Sequence, residues 1–311
     1  MTSPKIVVIG SCNIDFSSYV PFLPKLGETL YADKMVITHG GKGANQCVAA
    51  ARLGASTALI GRLGGDSTGK HYLKDLQKNG VNTDFLTISE DICSGTAVIT
   101  VAKNGDNNIV IVPGANSKVC KDDISKATSF IMNADVVVFQ FETPIAATVE
   151  ALQLLQKGKG KSIVNAAPAL ANPDGDVFKL SDIFCVNETE AEILTGVRVS
   201  SIDAAETVVY KLREKGCKVV VITLGAQGVV FATKEEPTPV HVPAKQVTAV
   251  DTTGAGDVFI GAMAYYLAYY PDMSLKENIR RCCEIAAVTI QTAGAQPSFP
   301  HRRDLPNNLF Q

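Results

Sequence analysis

Short apolar runs alternate with amphipathic stretches along most of this chain. Lys5 to Gly10 is a β-branched run closed by glycine and predicts a buried strand. Similar runs recur at 57–61, 136–141, 162–165, 183–186 and 218–223. Helix patterns lie between them. Ala44 to Leu53 is rich in helix formers and ends at Gly54. Others end at Asn79-Gly80 and near Thr195-Gly196, or cover 144–156 and 202–215 before Gly216. A last apolar run, 246–250, reads as a strand ahead of a long apolar helix pattern, 258–270. This alternation predicts an α/β fold with a central, mostly parallel sheet flanked by helices.

Two segments break the rhythm. Residues 16–38 carry Pro21, Pro24 and Gly27 between short strand-like pieces. Residues 96–102 and 108–112 alternate as strands around Lys103-Asn-Gly-Asp-Asn107, a hairpin signal. Together, about 14–38 and 94–113 are expected to form a small β-sheet lid over one side of a cleft. No repeat, low-complexity tract or linker divides the chain, so 1–311 is expected to be one domain that includes the lid.

Composition narrows the class. With 46% hydrophobic and 19% charged residues, the chain has ample material for a core. A net charge of −2 gives no basis for a nucleic-acid or anionic-membrane partner. The eight cysteines form no C-x-x-C pair and several sit in apolar runs, which favours a reducing compartment over zinc or disulfides. A strand begins within five residues of Met1, leaving no room for a signal peptide, and the apolar helix is too short for a bilayer. A cytoplasmic protein is expected, and nuclear presence is compatible with this.

Candidate chemistry gathers at strand ends, where open α/β sheets bind ligands. Asn13 and Asp15 follow the first strand and share one face, as a polar grip or as turn residues bonding their own backbone. The single glycine of Gly10-Ser-Cys-Asn-Ile-Asp15 excludes a dinucleotide fingerprint. Gly64-Gly-Asp-Ser-Thr-Gly-Lys-His71 nearly spells a phosphate-binding loop, but His71 stands where Ser or Thr should hold magnesium. It reads as a polar loop with a helix cap. Lys42, framed by Gly40, Gly41 and Gly43, and Asn45 one turn on suit ligand contact. Polar residues at successive strand ends, Asn13, Glu142, Asn187, Thr223 and Asp257, would form one rim. Glu142 also reads as a helix N-terminal charge, and Asn187 with Glu190 as a capping box.

The most informative stretch is Asp251-Thr-Thr-Gly-Ala-Gly-Asp257. At a helix start, the N–H groups of Gly254, Ala255, Gly256 and Asp257 would lack internal partners and make an anion site. Asp257 could cap that helix. A carboxylate beside bound phosphate also suits a base that deprotonates an attacking hydroxyl. With Lys42 and the polar cluster, the set fits phosphoryl transfer to a polyhydroxylated acceptor.

Over essentially its whole length the chain resembles the ribokinase branch of the phosphofructokinase-B type carbohydrate kinases. The likeness rests on Gly40-Gly-Lys-Gly-Ala-Asn-Gln46, Asn187-Glu-Thr-Glu190 and Asp251 to Asp257. It implies ATP-dependent phosphorylation of D-ribose at O5, with Asp257 as general base and Gly254, Ala255 and Gly256 as the anion hole. Asn13, Asp15, Gly41, Lys42, Asn45, Glu142 and Asp257 correspond to sugar contacts. Asn187, Thr223, Gly225, Gly228, Gly256 and Cys283 correspond to ATP contacts, Cys283 departing from the usual polar residue. Glu190 would order Mg2+ through water. Asp251, Thr253, Thr289, Thr292, Gly294 and Ser298 correspond to ligands of an activating K+. A homodimer through the lid sheets is implied as well. The rivals are a kinase for another small sugar or a nucleoside, and a catalytically silent sugar- or nucleotide-binding protein. An adenosine kinase is expected to need apolar and aromatic lid residues, whereas this set is polar.

Overall fold

The computed structural model describes residues 5–311. Its chain moves between two sheets. It starts in the larger with β1 (Ile6–Ile9) and leaves for β2 (Asn13–Val20) and β3 (Lys34–Gly40) in the smaller. It returns for β4 (Thr57–Gly64), β5 (Val81–Asn82) and β6 (Leu86–Ser89), then leaves again for β7 (Gly95–Ala102) and β8 (Asn107–Val112). From β9 (Val136–Phe139) it stays in the larger sheet through β10 (Lys161–Asn165), β11 (Ile183–Asn187) and β12 (Val219–Thr223). The antiparallel β13 (Val229–Ala232) and β14 (Val240–Val242) finish that sheet.

The helices α1 (Lys42–Arg52) and α2 (Ser67–Lys78) lie on one face of the sheet. The other face is covered by α3 (Lys121–Lys126), α4 (Thr128–Asn133), α5 (Ile145–Leu155), α6 (Asp176–Leu180), α7 (Glu188–Thr195) and α8 (Ile202–Glu214). The chain then returns to the first face for α9 (Ala255–Tyr269) and α10 (Leu275–Thr289). Period-two alternation within β1 explains the two layers: Ile6 and Val8 enter the core under α1 and α9, Val7 and Ile9 the core under α5 and α8. Burial on both faces is why the parallel strands read as unbroken apolar runs.

The strand order β14-β13-β12-β11-β10-β9-β1-β4-β5 reverses direction at β1 and β9, which pair in parallel. Crossovers diverge there and open a crevice at the carboxyl ends, the usual ligand position in such sheets. The smaller sheet, order β3-β2-β7-β8, grows from that end and matches the expected lid, with Gly105 at φ +91° turning the hairpin.

Some boundaries differ from expectation. Residues 246–250 form no strand; they run as an irregular strap, and Gln246 Nε2 donates to the Ala226 carbonyl at 3.0 Å. Helix α1 already begins at Lys42, with Gly41 (φ +86°) preceding it. The phosphate-loop lookalike is a capped helix start: Asp66 accepts from Gly69 N–H at 2.8 Å. No helix among the described residues is long and apolar enough to cross a membrane. Residues 1–4, where no leader was expected, lie outside the described residues.

Candidate active site

Asp257 sits in the first turn of α9 and is 8% exposed. Its Oδ2 accepts from Asn45 Nδ2 at 2.9 Å and its Oδ1 from Gln46 Nε2 at 3.0 Å. Helix packing creates this arrangement. Gly261, one turn beyond Asp257, lies so close to α1 that a Cβ there would stand 2.7 Å from the Gln46 carbonyl oxygen. The missing side chain lets the two helices approach until Asn45 and Gln46 reach the carboxylate. Gln46 is fixed in turn: its Nε2 also lies 3.1 Å from Asn165 Oδ1, and its Oε1 accepts from Gln140 at 2.7 Å.

Gly254 precedes α9 at φ +80°, and Phe299 stands 2.7 Å from where its Cβ would be. The Ala255 N–H donates to the Thr252 carbonyl at 3.2 Å, so it is not the free donor expected. Among the described residues, the N–H groups of Gly254, Gly256 and Asp257 have no backbone partner and open the helix terminus to an anion. Apart from its own helix turn, nothing lies within 4 Å of a Cβ built on Gly256, which leaves room for a ligand there.

A cleft of about 180 Å³ fronts this terminus, lined by Lys42, Asn165, Asn187, Glu190, Thr223, Gly254, Gly256 and Asp257. Burial, the largest influence on Lys42, opposes its charge, but Asp257, Glu142 and Glu190 outweigh it and raise its pKa. Burial pushes Glu190 above the usual carboxylate range, against hydrogen bonding from Asn187 and the charge of Lys42. Asn187 N–H and Nδ2 donate to the two Glu190 oxygens at 2.9 and 3.1 Å, and Asn187 Oδ1 accepts from the Glu190 N–H. The capping box is therefore real, and both of its residues also face the cleft.

Asn13, Asp15, Asn45 and Glu142 do not line that cleft: Asn45 touches Asp257, Glu142 touches Lys42, and Asn13 and Asp15 lie opposite Gly40 and Thr38 where β2 pairs with β3. Glu142 Oε2 accepts from Ser11 Oγ at 2.5 Å and from the Lys42 N–H at 2.9 Å, so its charge caps α1 rather than the helix that follows it. Asn13 Oδ1 accepts from Asn116 at 2.7 Å. Gly41 approaches Asn13 so closely that a Cβ would stand 2.6 Å from its nitrogen. Burial first, then the charges of Glu142 and Asp257, raises the Asp15 pKa to about 7. Asn45 is engaged at both ends, since its Oδ1 accepts from Gln296 at 3.0 Å.

A second cleft of about 380 Å³ shares Asn187, Thr223 and Gly256 with the first and extends past Gly225, Gly228 and Cys283 to the 246–250 strap. The expected nucleotide contacts thus converge on one surface. Asp251 joins two loops: its Oδ1 accepts from Thr253 N–H and Oγ1 at 2.9 and 2.7 Å, its Oδ2 from Gly294 N–H at 2.7 Å. Burial acts to raise its pKa, yet these bonds prevail and hold it below the usual range. Thr292 N–H donates to the Thr289 carbonyl at 3.2 Å. The Thr289 and Ser298 hydroxyls donate to the carbonyls of Ile285 and Ala295.

Sequence reasoning missed Ser11, Gln46, Asn116, Gln140, Asn165 and Gln296. The available signal was Gln46 itself, a second amide beside Asn45 at the start of an otherwise apolar helix.

Residues 3–302 match the pfkB family of carbohydrate kinases. A mouse ribokinase is 49% identical over 305 residues, covering 98% of this chain and 94% of the relative. A deoxyribokinase of Salmonella typhi is 36% identical over 295 residues, covering 95% of each. The structure of an Arabidopsis thaliana ribokinase complexed with ribose and ATP superposes with a TM-score of 0.88 at 31% identity, covering 97% of both chains.

Proposed function

The chain belongs to the pfkB family of carbohydrate kinases, and we propose that within it this protein transfers the γ-phosphoryl group of ATP to O5 of D-ribose. The observation that carries this reading is the Asp257 carboxylate, clamped by Asn45 and Gln46 beside free helix-terminal amides. Asp257 takes the proton as O5 attacks the γ-phosphorus, and the bond to the β–γ bridging oxygen breaks to release ADP. Charge on the transferring group is met by the amides of Gly254, Gly256 and Asp257. Asn13, Asp15, Gly41, Lys42 and Glu142 offer acceptors and a cation to sugar hydroxyls, and the second cleft receives the nucleotide. Nuclear magnetic resonance of the product tests the reading: phosphate coupled to C5 is expected, and phosphate on another carbon overturns it.

A divalent metal accompanies ATP in such kinases, neutralising charge on its phosphates. Both Glu190 oxygens already accept from Asn187, which fits Glu190 holding Mg2+ through water rather than directly. For K+, the ionised Asp251 between the 251–254 and 292–298 loops suits a monovalent cation. Thr253, Thr289, Thr292, Gly294 and Ser298 would complete the set with backbone carbonyl or hydroxyl oxygens; the Thr289 and Ser298 hydroxyls donate their protons to carbonyls and keep their lone pairs.

We read residues 1–311 as one domain with its lid, and the lid as the site of a homodimer. Supporting this, one face of the lid sheet exposes Met35, Ile37, Val98 and Val110, an apolar patch of the kind that marks interaction surfaces. Eight unpaired cysteines support a reducing compartment such as the cytoplasm.

A further inference from the structure

We propose that His39, His71 and Asp75 form a binding site for a divalent transition metal of the zinc type, joining the lid to the body. His39 is the next-to-last residue of β3, and His71 and Asp75 lie one turn apart on α2. Asp75 Oδ2 stands 3.1 Å from His39 Nδ1 and 3.6 Å from His71 Nε2. One ligand atom from each residue lies within 4.8 Å of the others. A tetrahedral zinc with bonds of about 2.0–2.1 Å sets its ligands roughly 3.3 Å apart. Two of the three spacings already match, and rotation of the exposed His71 closes the third. An imidazole–imidazole–carboxylate set leaves the fourth position to water.

Neighbouring contacts prepare the site. Lys78 takes Asp75 Oδ1 at 2.8 Å, leaving Oδ2 toward the imidazoles. The His39 ring stacks on Tyr72 with centroids 4.1 Å apart, which fixes its direction. Burial lowers the His39 pKa and favours the neutral, ligating form. His71, the residue that spoiled the phosphate-loop pattern, thereby has a use.

The site also reaches the chemistry. Tyr72 Oη donates to the Gly40 carbonyl at 2.7 Å and accepts from Gln296 Nε2 at 2.7 Å; Gln296 also donates to Asn45, which holds Asp257. A bound ion would therefore pin the inner end of β3 beside the Gly40–Lys42 loop. The binding claim is independent of the kinase reading; any effect on turnover rests on it.

Zinc alone is titrated calorimetrically into the full chain carrying Cys93→Ser and Cys120→Ser, which removes the exposed thiols. At about pH 7.5 one equivalent is expected to bind, at least about tenfold more weakly after His71→Ala. His39→Phe, which keeps the stack on Tyr72, should weaken it similarly. Zinc should also slow amide exchange at residues 37–40 of this doubly substituted chain and leave it unchanged in the chain that also carries His71→Ala. No saturable binding, equal binding after His71→Ala, or unchanged exchange at β3 would overturn the proposal.

Discussion

Gln46 and Asp257 stand 211 positions apart in the chain, yet the amide of one donates to the carboxylate of the other at 3.0 Å. Gln46 also meets Asn165 and Gln140, so it links α1 to the ends of β9 and β10. Replacing it with leucine strands buried polar partners and frees the base to turn. We expect Gln46→Leu to lower kcat about tenfold to a hundredfold while the KM for ATP stays close to its original value. Steady-state kinetics with each substrate varied check this; an unchanged kcat would remove the positioning role.

Asp15 gives a pH signature. Its pKa is raised from 3.8 to about 7, so between these values the folded chain holds a proton that the unfolded chain has lost. The sign follows: this stabilising contribution is complete below 3.8 and is lost as pH rises toward and through about 7. Denaturant midpoints of the native chain and Asp15→Asn, compared across that range, should shift against the native chain as pH rises. Parallel profiles would contradict the assignment.

The cation reading rests on Asp251. Exchanging potassium for sodium should depress turnover, and Asp251→Ala should abolish the difference by untying the loop at Gly294. Equal initial rates in the two salts for the unsubstituted chain would remove the site.

The lid patch makes a prediction about mass. Val110 is 64% exposed and Met35 60%. A Val110→Asp, Met35→Asp variant places charges where an apolar interface is proposed and should run as a monomer by light scattering, against a dimer for the unsubstituted chain. A monomer in both cases would contradict the interface.

Much of this was legible in sequence because local physics sets it. A buried parallel strand must be apolar throughout, and a helix start that receives an anion needs glycines and free amides. Hence β1, the strands from β9 to β12, and the turn before Asp257 could be read directly. The lid was legible from the Lys103–Asn107 turn. The 246–250 strap was misread because its apolar residues resemble a strand, although they run beside the second cleft. Glu142 caps α1 from across the crevice, and Gln46 reaches Asp257 only because Gly261 lets two helices touch. These contacts span roughly a hundred positions or more, and no local pattern encodes them.

The most direct test of the central claim is ADP release from purified protein with ATP, magnesium and potassium, across D-ribose, 2-deoxy-D-ribose, D-fructose and adenosine. Similarity to a deoxyribokinase makes the deoxy sugar the competitor to compare first. The account predicts clear preference for ribose, and a fall of about two orders of magnitude or more in Asp257→Asn with ribose and ATP still binding. No turnover with any acceptor, or undiminished turnover in Asp257→Asn, would contradict it.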